Sequence, residues 1–145
     1  MKAVIQRVKY ANLKVDGKLI SAINNGLVIF LGVGNLDTKE NADYMIKKIP
    51  PLRIFEDENG KTNLNISQAN GEILLVSQFT LFADTSHGNR PSFINAGAPD
   101  MANELYEYVA KGLTDAGLIV KKGVFGADMK ITQENDGPFT IIIEK

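Results

Sequence analysis

The sequence predicts an α+β domain of mixed, mostly antiparallel sheets with two main helices, layered as a ββα sandwich with barrel-like character. Three observations point there. Strand-like runs recur along the chain, several ended by turn dipeptides such as Asp16-Gly17 and Asn70-Gly71. Only two stretches have apolar residues at helical spacing. The chain has 145 residues and is 44% hydrophobic, enough for one core without disulfides or metals, so residues 1–145 are expected to form one domain.

Ala3 to Val15 reads as a strand or a broken pair of strands. Asp16-Gly17 turns it into a partner at Lys18 to Ile23, and Asn24-Asn25-Gly26 turns again into a buried strand at Leu27 to Leu31. Asp37, with Glu40 three residues on, predicts a helix start of capping-box type, and Pro50-Pro51 ends that helix. Leu52 to Glu56 reads as a short strand, Asp57 to Gly60 as a turn, and Lys61 to Gly71 as irregular.

Leu74 to Phe82 reads as the central strand, apolar on both faces and so covered on both sides. Three polar residues sit in it, Ser77, Gln78 and Thr80. A buried hydroxyl or amide without a partner costs about 1–3 kcal/mol, so each needs a reason. Either they tie neighbouring loops to the sheet, or they form a site on a rigid strand. A long loop follows, Asp84 to Pro99, carrying Arg90-Pro91-Ser92-Phe93. Pro99 opens the second helix, with Met101, Leu105, Tyr108, Val109 and Leu113 as its stripe and Gly117 as its stop. Leu118 to Val124, Ala127 to Glu134 and Phe139 to Glu144 read as the last strands, the final two joined by Asn135-Asp136-Gly137-Pro138.

Composition excludes several chemistries. Without cysteine there is no disulfide, thiolate nucleophile or cysteine-held zinc. The single histidine, His87, cannot supply a histidine-rich metal site and lies in an exposed-looking turn. Net charge is −1, so a nucleic acid would be held by a local patch or by one end rather than along a basic groove. No apolar run has signal-peptide or membrane-spanning length, and a cytoplasmic location is expected. No paired carboxylates or phosphate-binding glycine loop appears.

SQFTL at Ser77–Leu81 and NDGPFT at Asn135–Thr140 together resemble the D-aminoacyl-tRNA deacylase family. IQRV at Ile5–Val8, LRIFEDENGK at Leu52–Lys61, NLN at Asn63–Asn65, RPSF at Arg90–Phe93 and FGADMK at Phe125–Lys130 extend the resemblance over essentially the whole chain. It implies hydrolysis of the ester between a D-amino acid and the terminal ribose of tRNA, with glycine mischarged on alanine tRNA as a further substrate. It implies a homodimer with its sites at the subunit interface, no metal and no cofactor. It implies a cis Gly137–Pro138 bond that enters the partner's pocket, where main-chain carbonyls exclude an L side chain.

Within that resemblance the catalytic group is expected at Ser77, Gln78, Phe79 and Thr80. The N–H groups of Phe79 and Thr80 would serve as oxyanion donors, and Ser77 and Gln78 would shape the pocket. Thr80 Oγ as a nucleophile stays open, although it needs an adjacent base. Arg90, Phe125 and Met129 are expected at the substrate pocket or the tRNA, and Lys47, Lys48, Lys121 and Lys122 are candidate phosphate contacts. The chain departs from the family at Phe139, where valine is usual, at Thr62, and in a stretch from Ser86 to Arg90 poorer in positive charge. Two other classes compete. One is a non-catalytic nucleic-acid-binding protein on the same fold. The other is a general esterase using Ser77 or Ser86 with His87, although neither serine lies in a nucleophile elbow.

Overall fold

The computed structural model describes residues 1–145. Its elements are β1 (Lys2–Val15), β2 (Lys18–Ile23), β3 (Gly26–Gly32), α1 (Lys39–Lys48), β4 (Phe55–Glu56), β5 (Thr62–Leu64), β6 (Glu72–Ser77), α2 (Pro99–Asp115), β7 (Ile119–Lys122) and β8 (Met129–Glu144). One six-stranded sheet dominates. β1 pairs antiparallel with β2, β3 and β8, whereas β3, β6 and β7 run parallel. The parallel steps are the ones that carry the helices, α1 between β3 and β6, and α2 between β6 and β7.

β1 organises the sheet. Residues Lys2–Val8 pair with β3 and Ala11–Val15 with β2, while β8 pairs along nearly the whole strand. Sharing one edge between two partners requires β1 to curve, and its register shifts near Val8. The curve brings β2 toward β7. There the Ser21 hydroxyl donates to the Lys122 carbonyl at 2.6 Å and Lys121 Nζ to the Ala22 carbonyl at 2.7 Å, nearly closing a barrel.

Two apolar clusters lie on opposite sides of this sheet. Ile73 and Leu75 of β6 join Ile5, Ile29, Met45, Tyr106, Val109 and Leu113 under the helices. Leu74 and Val76 join Val8, Ala11, Leu13, Ile23 and Val28 inside the curve. The central strand is therefore covered on both sides, as its sequence predicts. On the curved side, Val76, Phe30, Val4 and Ile142 line up as direct cross-strand neighbours. Ile142 is 69% exposed, and no helix covers that end of the row. No helix is long and apolar enough to cross a membrane.

Several boundaries differ from expectation. The central strand stops at Ser77, and Phe79–Phe82 form a 3₁₀ turn in place of its second half. The cause lies at the end of β3 and just beyond it. A Cβ on Gly32 would stand 2.9 Å from the Gln78 carbonyl oxygen, and one on Gly34 would meet the Phe82 ring at 2.7 Å. Two missing side chains leave room for the chain to fold back. The two C-terminal strands are one strand, β8, whose middle loops out of the ladder. The first helix is capped by Thr38, whose N–H donates to Asn41 Oδ1 at 2.9 Å. Asp37 instead accepts the Gly34 N–H at 2.6 Å and the Met1 amine at 2.5 Å. In α2 the buried tyrosine is Tyr106, while Tyr108 is half-buried and donates to Asp43. Leu52 to Ile54 still follow the turn after Pro50-Pro51, and only Phe55–Glu56 pair, with the Thr62–Leu64 strand inside the stretch read as irregular.

Candidate active site

The last ladder pair of β6 sets Ser77 against Leu31, and the Gln78 N–H donates to the Leu31 carbonyl at 2.9 Å. The chain then leaves the sheet. The first N–H groups of a helical turn have no acceptor inside it. Those of Phe79 and Thr80 lie beyond the last ladder pair and meet no loop, turn or side-chain acceptor. A strand would have spent such donors on a ladder, so the turn is what frees them.

Beside this turn lies a cavity of about 700 Å³. Ser77, Gln78 and Phe79 form one wall. Leu31, Val33, Val76, Ala102, Tyr106, Phe125, Met129 and Ile131 supply most of its apolar lining. Phe93 packs edge-on to Phe79, ring centroids 5.1 Å apart, at the rim. The wall is mostly apolar with a few polar groups, the composition of a small-molecule site. The structure thus brings together Ser77, Gln78, Phe79, Phe125 and Met129. Thr80 stands just beyond the wall, exposed, with Gln78 Nε2 donating to its Oγ1 at 2.6 Å. An amide N–H cannot take up a proton, so this hydroxyl has no base in contact with it.

Tyr106 was not singled out by the sequence. Its hydroxyl donates to the Leu75 carbonyl at 2.8 Å, and the Gly123 N–H donates to the same oxygen at 2.9 Å. Burial pushes the phenol pKa far up, so it remains a donor. The Tyr106 ring also packs on Phe125, centroids 6.0 Å apart. One side chain therefore ties together α2, β6 and the segment after β7, each of which contributes to the cavity lining.

Other candidates lie elsewhere. Arg90 is exposed and lines no part of the cavity. Its loop is closed by Asp84 and Ser92, which exchange backbone hydrogen bonds at 2.8 and 2.9 Å. The Asp84 carboxyl is held below its ordinary value by the Ser86 hydroxyl and the Ser86 N–H. His87 Nδ1 lies 2.8 Å from Ser86 Oγ, exposed and away from the cavity wall, and Ser77 makes no contact with it. Lys121 and Lys122 are paired with Glu72 and Glu107 at 2.9 and 2.5 Å. Lys47 and Lys48 end α1, outside the cavity wall.

Gly137 and Pro138 are also outside the cavity, and the bond between them is cis. They occupy the outward loop of β8. Gln6 pairs with Thr140 and Val8 with Asn135, so the single residue Arg7 faces four: Asp136, Gly137, Pro138 and Phe139. Arg7 is only 4% exposed and braces the loop from below. Its Nε donates to the Asp136 carbonyl at 3.2 Å and lies 3.1 Å from Asp136 Oδ2. Its Nη1 donates to the Ile54 carbonyl at 2.7 Å, and its guanidinium lies over the Phe139 ring at 5.1 Å. A charge at the third position of the core-facing series Ala3, Ile5, Arg7 is the sequence signal that marks it.

The D-Tyr-tRNA(Tyr) deacylase family model matches residues 4–144. The D-aminoacyl-tRNA deacylases of Thermosipho africanus and Lactobacillus acidophilus are 49% and 50% identical to this chain over 144 residues. Those matches cover 99% of this chain, with 97% and 99% of the respective relatives. The solved structure of a c-Myc DNA Unwinding Element Binding Protein superposes with a TM-score of 0.93 at 41% identity, covering 100% of this chain and 99% of the other. A probable eukaryotic D-amino acid tRNA deacylase shares the fold, with a TM-score of 0.84 at 18% identity over 98% and 97% of the two chains. With near-complete coverage and about half its residues identical to named members, the chain belongs to the D-Tyr-tRNA(Tyr) deacylase family.

Proposed function

We propose that this chain is a hydrolase that cleaves the ester joining a D-amino acid to the terminal ribose of tRNA. The observation that carries the reading is the pair of unengaged N–H donors, Phe79 and Thr80, beside a mostly apolar cavity. Water adds to the ester carbonyl, and the two N–H groups receive the oxyanion. The carbon–oxygen bond to the ribose then breaks, the ribose oxygen takes a proton, and the amino acid leaves as its carboxylate. The neighbouring ribose hydroxyl orients the water, in keeping with the absence of a base near Thr80. Phe125 and Met129 hold the terminal nucleoside, and Ser77 and Gln78 orient the ester. Thr80→Ala is expected to keep most activity, whereas a trapped acyl-threonine would establish Thr80 as the nucleophile instead.

Chirality is read in trans. Gly137 and Pro138 are exposed and lie outside the cavity of their own chain, so a second copy would have to bring them to it. Phe30, Val4 and Ile142, next to one another across three strands and increasingly open toward Ile142, give an apolar surface on which two copies can meet. Main-chain atoms of Gly137–Pro138 then face the substrate's α-carbon and leave no space for an L side chain, while glycine on alanine tRNA passes. A cytoplasmic setting suits that substrate.

The test is release of tyrosine from matched D- and L-tyrosyl-tRNA with enzyme far below substrate. Loss of the D-ester alone is expected. Equal loss of both would indicate a general esterase. Binding without turnover would favour the nucleic-acid-binding reading, which a relative named for DNA binding keeps in view.

A further inference from the structure

Arg7 secures the outward loop of β8 from the helix side, and a second set of contacts secures it from the curved side. Gln133 Nε2 donates to Gln6 Oε1 at 2.8 Å and to Asn135 Oδ1 at 2.6 Å. Gln6 Nε2 reaches Thr140 Oγ1 at a long 3.4 Å. Asn135 and Thr140 are the two feet of the loop, the last residues in register before and after it. The glutamines therefore tie both feet to β1.

Gln133 makes these bonds at a cost. Its Oε1 is the one buried side-chain polar atom in the chain with no hydrogen-bond partner. An apolar residue would avoid that penalty, so stability alone does not account for glutamine here. Gln133 also follows Met129 and Ile131 on the same face of β8, and both of those line the cavity.

We infer that Gln133, acting with Gln6, is a positioning residue for chiral selection: its amide clamps the two feet of the Gly137–Pro138 loop so that the loop's main chain stays at the distance that rejects an L side chain. The inference rests on the proposed deacylase reading. A loosened loop admits L substrates while the hydrolytic end of the site stays intact. Glycine has no side chain for the loop to meet, so a glycyl ester reports the chemistry alone.

The experiment compares wild type with Gln133→Leu, Gln133→Glu and Gln6→Leu on D-tyrosyl-, L-tyrosyl- and glycyl-tRNA, with melting temperatures alongside. Gln133→Leu is expected to lower the D-over-L rate ratio about tenfold, the equivalent of one lost hydrogen bond. Its glycyl rate stays within about threefold of wild type, and its melting temperature holds within roughly 2 °C, because the unsatisfied oxygen leaves with the donor. Gln133→Glu keeps the shape but sets a carboxylate against two carbonyl oxygens, so its ratio falls further. Gln6→Leu reports independently should a Gln133 variant fail to fold. An unchanged ratio in the folded variants, with wild type selective, overturns the inference alone. A parallel fall in all three rates also overturns it, marking a general structural role. A wild type that does not distinguish D from L overturns the deacylase reading and this inference together.

Discussion

Replacing Arg7 with alanine should cost about 3 kcal/mol of folding stability. Breaking a buried ion pair from one side typically costs 3–5 kcal/mol, because the remaining groups stay desolvated. The Ile54 and Asp136 carbonyls and the Asp136 carboxylate all lose a donor at 3.2 Å or less. The lower end of the range applies, since Lys9 Nζ at 3.2 Å still neutralises Asp136, whose side chain is a quarter exposed. With an unfolding entropy of about 2.1 cal/mol/K per residue, a chain of 145 residues has about 0.3 kcal/mol/K, so the melting temperature falls by about 10 °C. Arg7→Lys keeps a charge but not the fork that reaches three acceptors, and should fall about halfway between. Urea unfolding and thermal melting at one protein concentration read the stability. Deacylation of D- and L-tyrosyl-tRNA, well below the melting temperature, reads the loop. A loss below about 1 kcal/mol for Arg7→Ala would refute the claim that this buried guanidinium supports the outward loop.

Three further outcomes follow from particular contacts. Gly137 has φ +125°, and a Cβ there would lie 2.9 Å from the Phe139 nitrogen and 3.3 Å from Arg7 Nη2. Gly137→Ala should therefore cost about 2 kcal/mol by urea unfolding and impair D-ester hydrolysis. Tyr106→Phe removes one of two donors to the Leu75 carbonyl and should cost about 1 kcal/mol, or about 3 °C in melting temperature. The Glu72 carboxyl is held below its ordinary value of 4.5, first by the Asn24 N–H and then by Lys121. A depressed folded pKa adds stability above the unfolded value and loses it as pH falls through the folded one. Wild type should therefore exceed Glu72→Gln in urea midpoint at about pH 7 and lose that advantage as the pH is taken below the ordinary carboxylate range.

The sequence was most legible where local periodicity and burial agree. β3, the first part of β6 and α2 each bury a patterned face, and pattern alone found them. It failed where a distant element decides. Ser77 to Phe82 alternates as a strand would, but Gly32 and Gly34 give the chain space to fold back, and nothing local records that. Ser77, at the end of the strand, and Gln78 and Phe79, where the chain turns, nevertheless line one cavity. Glu40 looked like the capping partner, yet Asn41 is the residue whose side chain meets the Thr38 N–H, a choice set by one residue of helical phase. Arg7 and Tyr106 were readable only as anomalies, a charge on a core-facing parity and a hydroxyl on a buried helix face. Their partners lie at Asp136 and Leu75, far along the chain.

In the proposed reading, the outward loop of β8 lets chiral selectivity vary separately from the fold. Its four residues stand opposite one, and the ladder resumes in register on both sides. Its length can therefore change between Asn135 and Thr140 without sliding any strand or turning any core side chain outward. The reach of the loop can vary while the ladder on either side of it stays in register. The proposed rejection of L side chains could then be tuned by insertion in the loop as readily as by substitution.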